Sequence, residues 1–526
     1  MAVFGINRGA RLGDVLDGSS NTLMVAEYLT GQSNDIRGFA YTHRSGSQFL
    51  HAYLTPNTNA PDNLLDHPHL CFPEMNRPEL NLPCVCGAGN SNTSASRSRS
   101  GTSPGGAGDD EPGHGILAYI SVRVGQIPSG RGTQEPHLSA RSRCAMEEHD
   151  VIRIPWAEPD LCEHDFRLLQ DCLRTKWISQ GPKVRTLEGL IASLSGRRYC
   201  VAVNSGTSAL VAALMSLGVS RTSEVVIPAV SFIALPHAIT MLGGIPVLAD
   251  VDETSGVITP ETVAPCVSRD TKAVVCIDYG GFAQDWEALH AECREVGVPL
   301  VVDAASSFLA HSNGRPAGAS GDLAVFSFHA AKPITTGEGG AVVTDDEELA
   351  SRLRLARNHG EIEGRKYFYQ CLGGNFRMTD LAAALGISQV ERRREILDRR
   401  LHVVDRYLDS AAMRAHAYSC HTDARLTSNG LTFTVILRES RDDFQRMLSD
   451  RGIETRSMWP VCVDEEPAYQ GQAVKTPQPL ERARRFSRTC LSLPVHCGIG
   501  GRELDHVISS FESVLEHIGR CATRGP

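Results

Sequence analysis

A single lysine, Lys332, lies in a pattern that favours covalent chemistry. It stands between a predicted strand end, residues 326–328, and a glycine-rich reversal, residues 337–340, that leads into a strand-like run. Pro333 follows the lysine, and a proline disfavours helical geometry in the residue before it. We therefore expect Lys332 on an irregular segment, where loss of hydration lowers the pKa of an amine enough for it to act as a nucleophile. A lone lysine beside a turn is more often an ordinary surface residue, so the interpretation depends on its neighbours.

A second pattern, NSGTS at residues 204–208, lies between a predicted strand and a predicted helix. Gly206 lets the backbone approach a ligand, and the first free amides of a helix favour an anion. The hydroxyls of Thr207 and its serine neighbours add donors. The pattern is compatible with a phosphate site and equally with a simple helix cap. No Gly-Lys-Ser/Thr follows, so it is not a P-loop.

Three more residues follow predicted strands. Asp303 ends the apolar run 300–302, and ligands of open parallel sheets bind beyond the carboxyl ends of the strands. A carboxylate there could cap the next helix or hold a proton on a heteroaromatic nitrogen. Phe232 could belong to the core or stack on a flat ring, and Ser327 could be an ordinary strand-end hydroxyl or a phosphate donor. An anion site, an aromatic ring, a carboxylate and a lysine together are the set that pyridoxal 5′-phosphate (PLP) requires.

Short apolar strands alternate with helices along residues 151–410, which predicts an α/β fold with a mainly parallel sheet. A further strand and helix, at 431–437 and 442–451, predict a smaller C-terminal α+β domain. We place the PLP-binding large domain at residues 149–400 and the small domain at 401–526. The uncharged run 225–249 is long enough to cross a bilayer, but its prolines and glycines favour a strand, a turn, a short helix and another strand.

Length, charge and cysteine pattern argue against several classes of function. A chain of 526 residues is expected to form two or three domains, and a net charge of −9 without a long basic run argues against nucleic-acid binding. Sixteen scattered cysteines without paired CxxC spacing predict neither a disulfide framework nor a zinc site, and we expect no bound metal. The first thirty residues lack a signal-peptide pattern. We therefore expect a cytoplasmic protein that does not bind membranes.

Residues 1–148 differ from the rest and are predicted to be irregular. Their runs resemble the C-terminal part of a pilin-like secreted family of planctomycete bacteria, whose function is unknown; these runs are DGSSNTLMVAE at 17–27, NDIRGF at 34–39, PNT at 56–58 and NLPC at 81–84. The Ser-, Gly-, Arg- and Pro-rich residues 90–135 are predicted to be disordered. We hypothesise that residues 1–148 are a fragment fused to an enzyme, through a fusion or a gene-model artefact.

Residues 153–510 resemble the DegT/StrS family of PLP-dependent sugar aminotransferases, within the aspartate-aminotransferase fold superfamily. Each supporting run is modest alone, but seven occur in order: ISQGP at 178–182, NSGTSAL at 204–210, DAA at 303–305, FSFHAAK at 326–332, TTGEGG at 335–340, RNHG at 357–360 and GNFRMT at 374–379.

The resemblance implies a role for each site residue. Lys332 would attach the cofactor covalently and move the proton between the substrate α-carbon and the cofactor, while Asp303 would keep the ring nitrogen protonated. Phe232 would stack on the ring. Asn375 would reach the phosphate of a neighbouring subunit, which implies a homodimer. The phosphate itself would be bound by Gly206, Thr207 and Ser327.

Two residues depart from the family pattern. Many members carry Gln or Glu three residues after the aspartate, near the phenolic oxygen of the cofactor, and this chain has Ser306, a shorter donor. The family usually has Thr before the stacking aromatic residue, and here it is Ser231. Neither departure removes a catalytic group.

The resemblance implies transfer of an amino group from an amino acid, glutamate, to a nucleotide-linked keto-sugar. Two alternatives stay open: an enzyme of the same fold that acts on a cyclitol or carbocyclic ketone, and a non-catalytic PLP-binding regulator. Lys332 argues against the family's dehydratases, which carry His at that position. Trp459, Tyr469 and His496 are candidates for substrate contact, although packing is the preferred interpretation of all three.

The fusion hypothesis predicts the outcome of peptide mapping on the native protein. Peptides from residues 1–140 should be absent or rare relative to those from the enzyme part. Abundant peptides from that region would refute the hypothesis.

Overall fold

The computed structural model describes residues 62–65, 84–87, 152–437 and 441–524. The chain divides into two units, residues 1–143 and residues 144–526. In the first unit two strands, β1 (Asp62–Leu65) and β2 (Cys84–Gly87), pair in parallel. The predicted disordered stretch 90–135 lies outside the described residues.

The second unit is built on a seven-stranded sheet in the order β3-β11-β10-β7-β6-β4-β5. Six strands run parallel and β11 runs antiparallel to both of its neighbours. The strands of this unit are β3 Tyr199–Val203, β4 Glu224–Pro228, β5 Ile245–Ala249, β6 Thr271–Ile277, β7 Leu300–Asp303, β8 His311–Ser312, β9 Arg315–Pro316, β10 Leu323–Ser327, β11 Gly340–Thr344, β12 Leu426–Thr427, β13 Phe433–Ile436 and β14 Cys490–Leu493.

Helices connect the strands and cover the sheet. They are α1 Glu163–Thr175, α2 Pro182–Ser195, α3 Gly206–Ser216, α4 Ala234–Met241, α5 Pro260–Val263, α6 Glu287–Glu295, α7 Glu347–Arg357, α8 Asp380–Glu391, α9 Arg393–Asp409, α10 Ala411–His416, α11 Arg441–Ser449, α12 Glu481–Thr489 and α13 Gly501–Arg524. The central strands are buried and rich in Val, Ile and Ala, as expected of parallel strands covered on both faces.

A second hydrophobic core lies around the antiparallel pair β13–β14, packed by the helices α9, α10, α11 and α13. Tyr407, Phe433 and Phe511 are among its fully buried side chains. This is the predicted small α+β domain. Helix α9 runs across the predicted boundary at residue 400, and the buried Arg400 donates to the carbonyls of Gly430 and Val495. The division into 149–400 and 401–526 stays a prediction.

The α/β class and the mainly parallel sheet are confirmed. The uncharged run 225–249 forms β4, α4 and β5, as the sequence indicated. Among the described helices, none combines the length and the apolar character that crossing a bilayer requires.

Helix α2 depends on a residue from α8 for its N-terminal cap. Its own N-cap is Gly181, which has no side chain to accept a hydrogen bond. The buried carboxylate of Asp380 replaces it, because its two oxygens accept the N–H groups of Lys183 and Val184, each at 3.1 Å. This contact satisfies two of the four donors that a helix start leaves unpaired.

We expect Asp380→Ala to lower the free energy of unfolding by about 2 kcal/mol, because it removes a cap and leaves buried N–H groups unpaired. Urea unfolding followed by circular dichroism measures the change. Asp380→Asn, which keeps one acceptor oxygen, should lose less. Equal unfolding midpoints for Asp380→Ala and wild type would contradict the assignment.

Candidate active site

Lys332 lies on a loop that begins where β10 ends and closes on itself before β11. The Phe328 N–H donates to the carbonyl of Gly339 at 2.9 Å, and the Thr336 N–H donates to the carbonyl of Phe328 at 2.9 Å. The backbone N–H of Lys332 donates to the carbonyl of His329 at 2.8 Å. The segment around Lys332 is therefore irregular, as expected from Pro333, and backbone hydrogen bonds hold it in place.

Burial lowers the pKa of the Lys332 amine to about 8, and the negative charge of Asp303 opposes part of this shift. The residue as a whole is half-buried. An ordinary lysine has a pKa near 10.4, so Lys332 has a much larger fraction of free amine at neutral pH. A partly desolvated lysine of this kind is suited to nucleophilic and proton-transfer chemistry.

Asp303 ends β7, between the ends of β6 and β10. It pairs in register with Ile277 on β6 and with Val325 on β10. Its carboxyl group is buried, and Oδ1 accepts the N–H of Ala305 at 3.1 Å. Burial raises the pKa of Asp303 to about 6, and the Ala305 N–H and the charge of Lys332 lower it in part. The structure thus brings the predicted carboxylate and the predicted lysine together.

The predicted anion cradle is formed by the start of α3 and the end of β10. Ser205 is the N-cap of α3, and its Oγ accepts the N–H of Ser208 at 3.0 Å. Gly206 packs so closely on Ser327 that a Cβ at this position would lie 2.8 Å from the Ser327 Cβ and 3.0 Å from its Oγ. Only glycine allows this approach, which places the free amides of α3 beside the Ser327 hydroxyl. Thr207 is exposed at the same helix end.

Phe232 lies four residues beyond the end of β4, and 55% of its surface is exposed. The preceding Ser231 is buried, and its hydroxyl has no hydrogen-bond partner among the described atoms. The exposure excludes the alternative that Phe232 belongs to the core. An aromatic face at this edge of the sheet is therefore available to a flat ring.

Ser306 and Asn375 occupy different surroundings. Ser306 is buried in the turn after Asp303, and its carbonyl accepts the side-chain amide of Asn429 at 2.9 Å. Asn375 is exposed, and its carbonyl accepts the side-chain amide of Asn204 at 3.2 Å, directly before the cradle. The expected contact of Asn375 with a neighbouring subunit stays a prediction.

The three residues proposed as substrate contacts pack against protein. Tyr469 is buried and stacks on His237 at 5.7 Å between ring centroids. His496 is buried beside the carbonyl of Pro155, at 3.1 Å. Trp459 is half-buried, with its ring edge-on to Tyr279. These contacts agree with the packing interpretation.

Sequence reasoning missed two buried polar residues beside this site, Asp278 and Asn429. Asp278 directly follows β6, and its backbone N–H donates to the carbonyl of Asp303 at 3.0 Å. The signal that identified Asp303, an acidic residue after an apolar strand, also marks Asp278. Asn429 lies more than 100 residues away in sequence, and no local pattern singles it out.

The residues fit a phosphorylated pyridine aldehyde. The Gly206–Ser327 approach leaves room for a phosphate where a Cβ would intrude, the half-buried amine is suited to the aldehyde, and the buried carboxylate is suited to a protonated ring nitrogen. The donor set therefore matches PLP in phosphate, aldehyde and ring nitrogen.

Comparisons with known proteins lead to the same conclusion. Residues 159–512 match the DegT/DnrJ/EryC1/StrS aminotransferase family, and residues 2–116 match a protein family of unknown function, DUF1559. The chain is 32% identical over 374 residues to the GDP-perosamine synthase of Caulobacter vibrioides, which covers 70% of this chain and 99% of that protein.

Solved structures agree. The aminotransferase TlmJ from Streptoalloteichus hindustanus superposes with a TM-score of 0.65 at 30% identity, covering 70% of this chain and all of that one. The PLP-form of Spr1654 from Streptococcus pneumoniae gives 0.65 at 26% identity, with the same coverage of both chains. The chain therefore belongs to the DegT/DnrJ/EryC1/StrS aminotransferase family and is a PLP-dependent aminotransferase.

Proposed function

We propose that this enzyme moves an amino group from glutamate to a keto-sugar carried on a nucleoside diphosphate. The observation that carries the proposal is the electrostatic contact of the buried Asp303 with Lys332, at the edge of the sheet where Gly206 meets Ser327. The similarity to a GDP-perosamine synthase, a protein named for a nucleotide sugar, supports the sugar substrate.

When bound, PLP supplies an electron sink for the electrons released at the substrate carbon. We assign the phosphate to the amides of Gly206 and Thr207 and to the Ser327 hydroxyl. Asp303 holds the proton on the ring nitrogen, which keeps the ring electron-poor. Phe232 covers one face of the ring. We assign Ser306, three residues after Asp303, as the donor to the phenolic oxygen.

Lys332 acts twice in this scheme. Its amine takes the proton from the α-carbon of glutamate, and the resulting ammonium returns a proton during conversion to the keto acid. In the second half-reaction the same group moves a proton in the reverse sense at the sugar carbon that becomes aminated. A pKa of about 8 suits both directions, since general acid–base catalysis is most efficient when the pKa lies near the working pH.

We further propose that the working unit is a homodimer in which Asn375 contacts the phosphate bound by the partner. Large apolar side chains are exposed near Asn375 and near the start of α2. Exposed apolar patches on a protein surface mark interaction sites. They are Trp177 at 54%, Ile178 at 51%, Tyr367 at 76%, Phe368 at 60% and Leu372 at 89%. A second copy of the chain that covers these residues would explain their exposure.

We expect purified wild-type protein to be yellow near neutral pH and to bleach on addition of glutamate. Lys332→Ala should lose the bound colour and lower kcat by at least the ~10²- to 10⁴-fold typical of a lost acid–base group. Absorbance and mass-spectrometric detection of aminated nucleotide sugars measure both effects, with the exposed Lys272→Ala as matched control. A Lys332→Ala enzyme that still transaminates would end the assignment.

The lowered pKa of Lys332 predicts a pH profile. The free amine is the reactive form, so the rate at which apoprotein forms the coloured complex with PLP should rise as pH increases and level off above about 8. Asp303→Asn should move the midpoint to lower pH, because the carboxylate charge raises the pKa of the amine. Stopped-flow absorbance measures these rates, and a midpoint near the ordinary lysine value of about 10.4 would contradict the burial of the amine.

A further inference from the structure

The turn that follows Asp303 is held from two sides by buried polar side chains to which the mechanism gives no role. It spans residues 303–308 and carries Asp303 and Ser306. It ends at Leu309, whose φ of 71° is uncommon for a residue with a side chain. A turn that ends in such a conformation needs fixed contacts to persist.

Asp278 holds the first side. It is 1% exposed, and its Oδ2 accepts the Ser307 hydroxyl at 2.5 Å. Its Oδ1 accepts the N–H of Gln284 at 3.0 Å and the Nε1–H of Trp286 at 2.9 Å. No cation pairs with it among the described residues. A buried carboxylate without a cation is costly, and its three donors stabilise it in one orientation.

Asn429 holds the second side. It is 1% exposed, and its side-chain amide donates to the carbonyls of Ser306 at 2.9 Å and Phe308 at 3.0 Å. Its side-chain oxygen accepts the N–H of Leu431 at 3.0 Å. Both N–H donors of this amide are therefore committed to the turn, and its oxygen is held by the backbone of its own segment.

We propose that Asp278 and Asn429 are positioning residues that hold the turn 303–308, so that the Asp303 carboxylate stays directed at the ring nitrogen of the cofactor. The proposal rests on the role of Asp303 in the proposed function. It also accounts for the short side chain at position 306, Ser306. The turn is held through its backbone and through Ser307, so it does not depend on a long side chain at that position.

Asp278 also has an electrostatic effect. It directly follows β6 and Asp303 ends the neighbouring strand β7, so the two charges add. Burial raises the pKa of Asp278 to about 7, its three donors lower it, and Asp303 raises it further. Among the described residues, the other titratable or charged groups near Asp278 include the Cys276 thiol on β6 and, around a cavity of about 50 Å³, Asp285, Glu287 and Arg315. As pH falls below about 7 both carboxylates take up protons, and their attraction for a cationic ring is lost.

The test uses apoprotein and pyridoxamine 5′-phosphate, which carries the phosphate and ring nitrogen but no aldehyde, so Lys332 forms no bond with it. Quenching of tryptophan fluorescence gives its Kd. We expect Asp278→Asn to weaken binding at pH 7.5 about tenfold, which corresponds to about one pKa unit of interaction. Ser307→Ala and Asn429→Ala should weaken it in the same sense. Combining Asp278→Asn with Ser307→Ala should weaken binding by less than the product of the two single effects, because the two residues share one hydrogen bond.

A pH series tests the electrostatic effect of Asp278 separately from any loss of fold stability. The affinity of wild type should fall steeply between pH 7.5 and pH 5.5, and the fall should be shallower in Asp278→Asn, in which one of two titrating carboxylates is gone. Ser195→Ala, which removes a buried hydroxyl bonded to Ile191 within α2, is the control and should bind as wild type does.

The proposal is overturned if Asp278→Asn, Ser307→Ala and Asn429→Ala melt at lower temperature yet keep the wild-type Kd and pH slope. If Asp278→Asn does not fold, the other two variants decide. Asp303→Ala distinguishes a failure of the positioning role from a failure of the assigned cofactor site. Weak binding by Asp303→Ala together with normal binding by the three variants refutes only the positioning role, whereas normal binding by Asp303→Ala refutes the assigned site as well.

Discussion

A buried carboxyl group and the amine of a half-buried lysine lie at the same edge of one sheet, and each changes the proton affinity of the other. Burial pushes Asp303 and Lys332 towards their neutral forms, and their mutual attraction pushes both back towards the charged forms. The opposing effects leave both groups able to exchange protons near neutral pH. The sheet makes this possible because β7 and β10 are parallel neighbours, so their carboxyl ends, and the residues just beyond them, lie together.

The predicted anion cradle follows from the same arrangement. Strand β11 returns antiparallel between β10 and β3, and this places the start of α3, which follows β3, against the end of β10. Gly206 and Ser327 can touch only because one of them lacks a Cβ. Residues after position 400 also contribute to the site, since Asn429 supports the turn after Asp303 and the N–H of Val463 donates to the carbonyl of Ala229 at 3.0 Å. The site is therefore supported by residues that lie far from it in sequence.

Local pattern predicted much of this architecture. The apolar run 300–302 with Asp303 at its end agrees with β7, and the run 225–249 forms β4, α4 and β5, because buried parallel strands are apolar on both faces. The lysine, aspartate and glycine were found because each follows a strand or precedes a helix. Asn429 was not found, since its role depends on tertiary contacts with a distant turn. The use of Ser208 as a partner of the Ser205 cap was also hidden, because the sequence does not say which of several neighbouring hydroxyls points outward.

The central claim is that the amine of Lys332 is the group that binds the cofactor covalently. The most direct measurement is reduction of the yellow protein with borohydride, followed by proteolysis and mass spectrometry of the labelled peptide. The account predicts one pyridoxyl-phosphate label per chain, on Lys332, in the peptide that contains the run FSFHAAK. A label on another lysine, or protein that retains PLP without any reducible bond to residue 332, would contradict it.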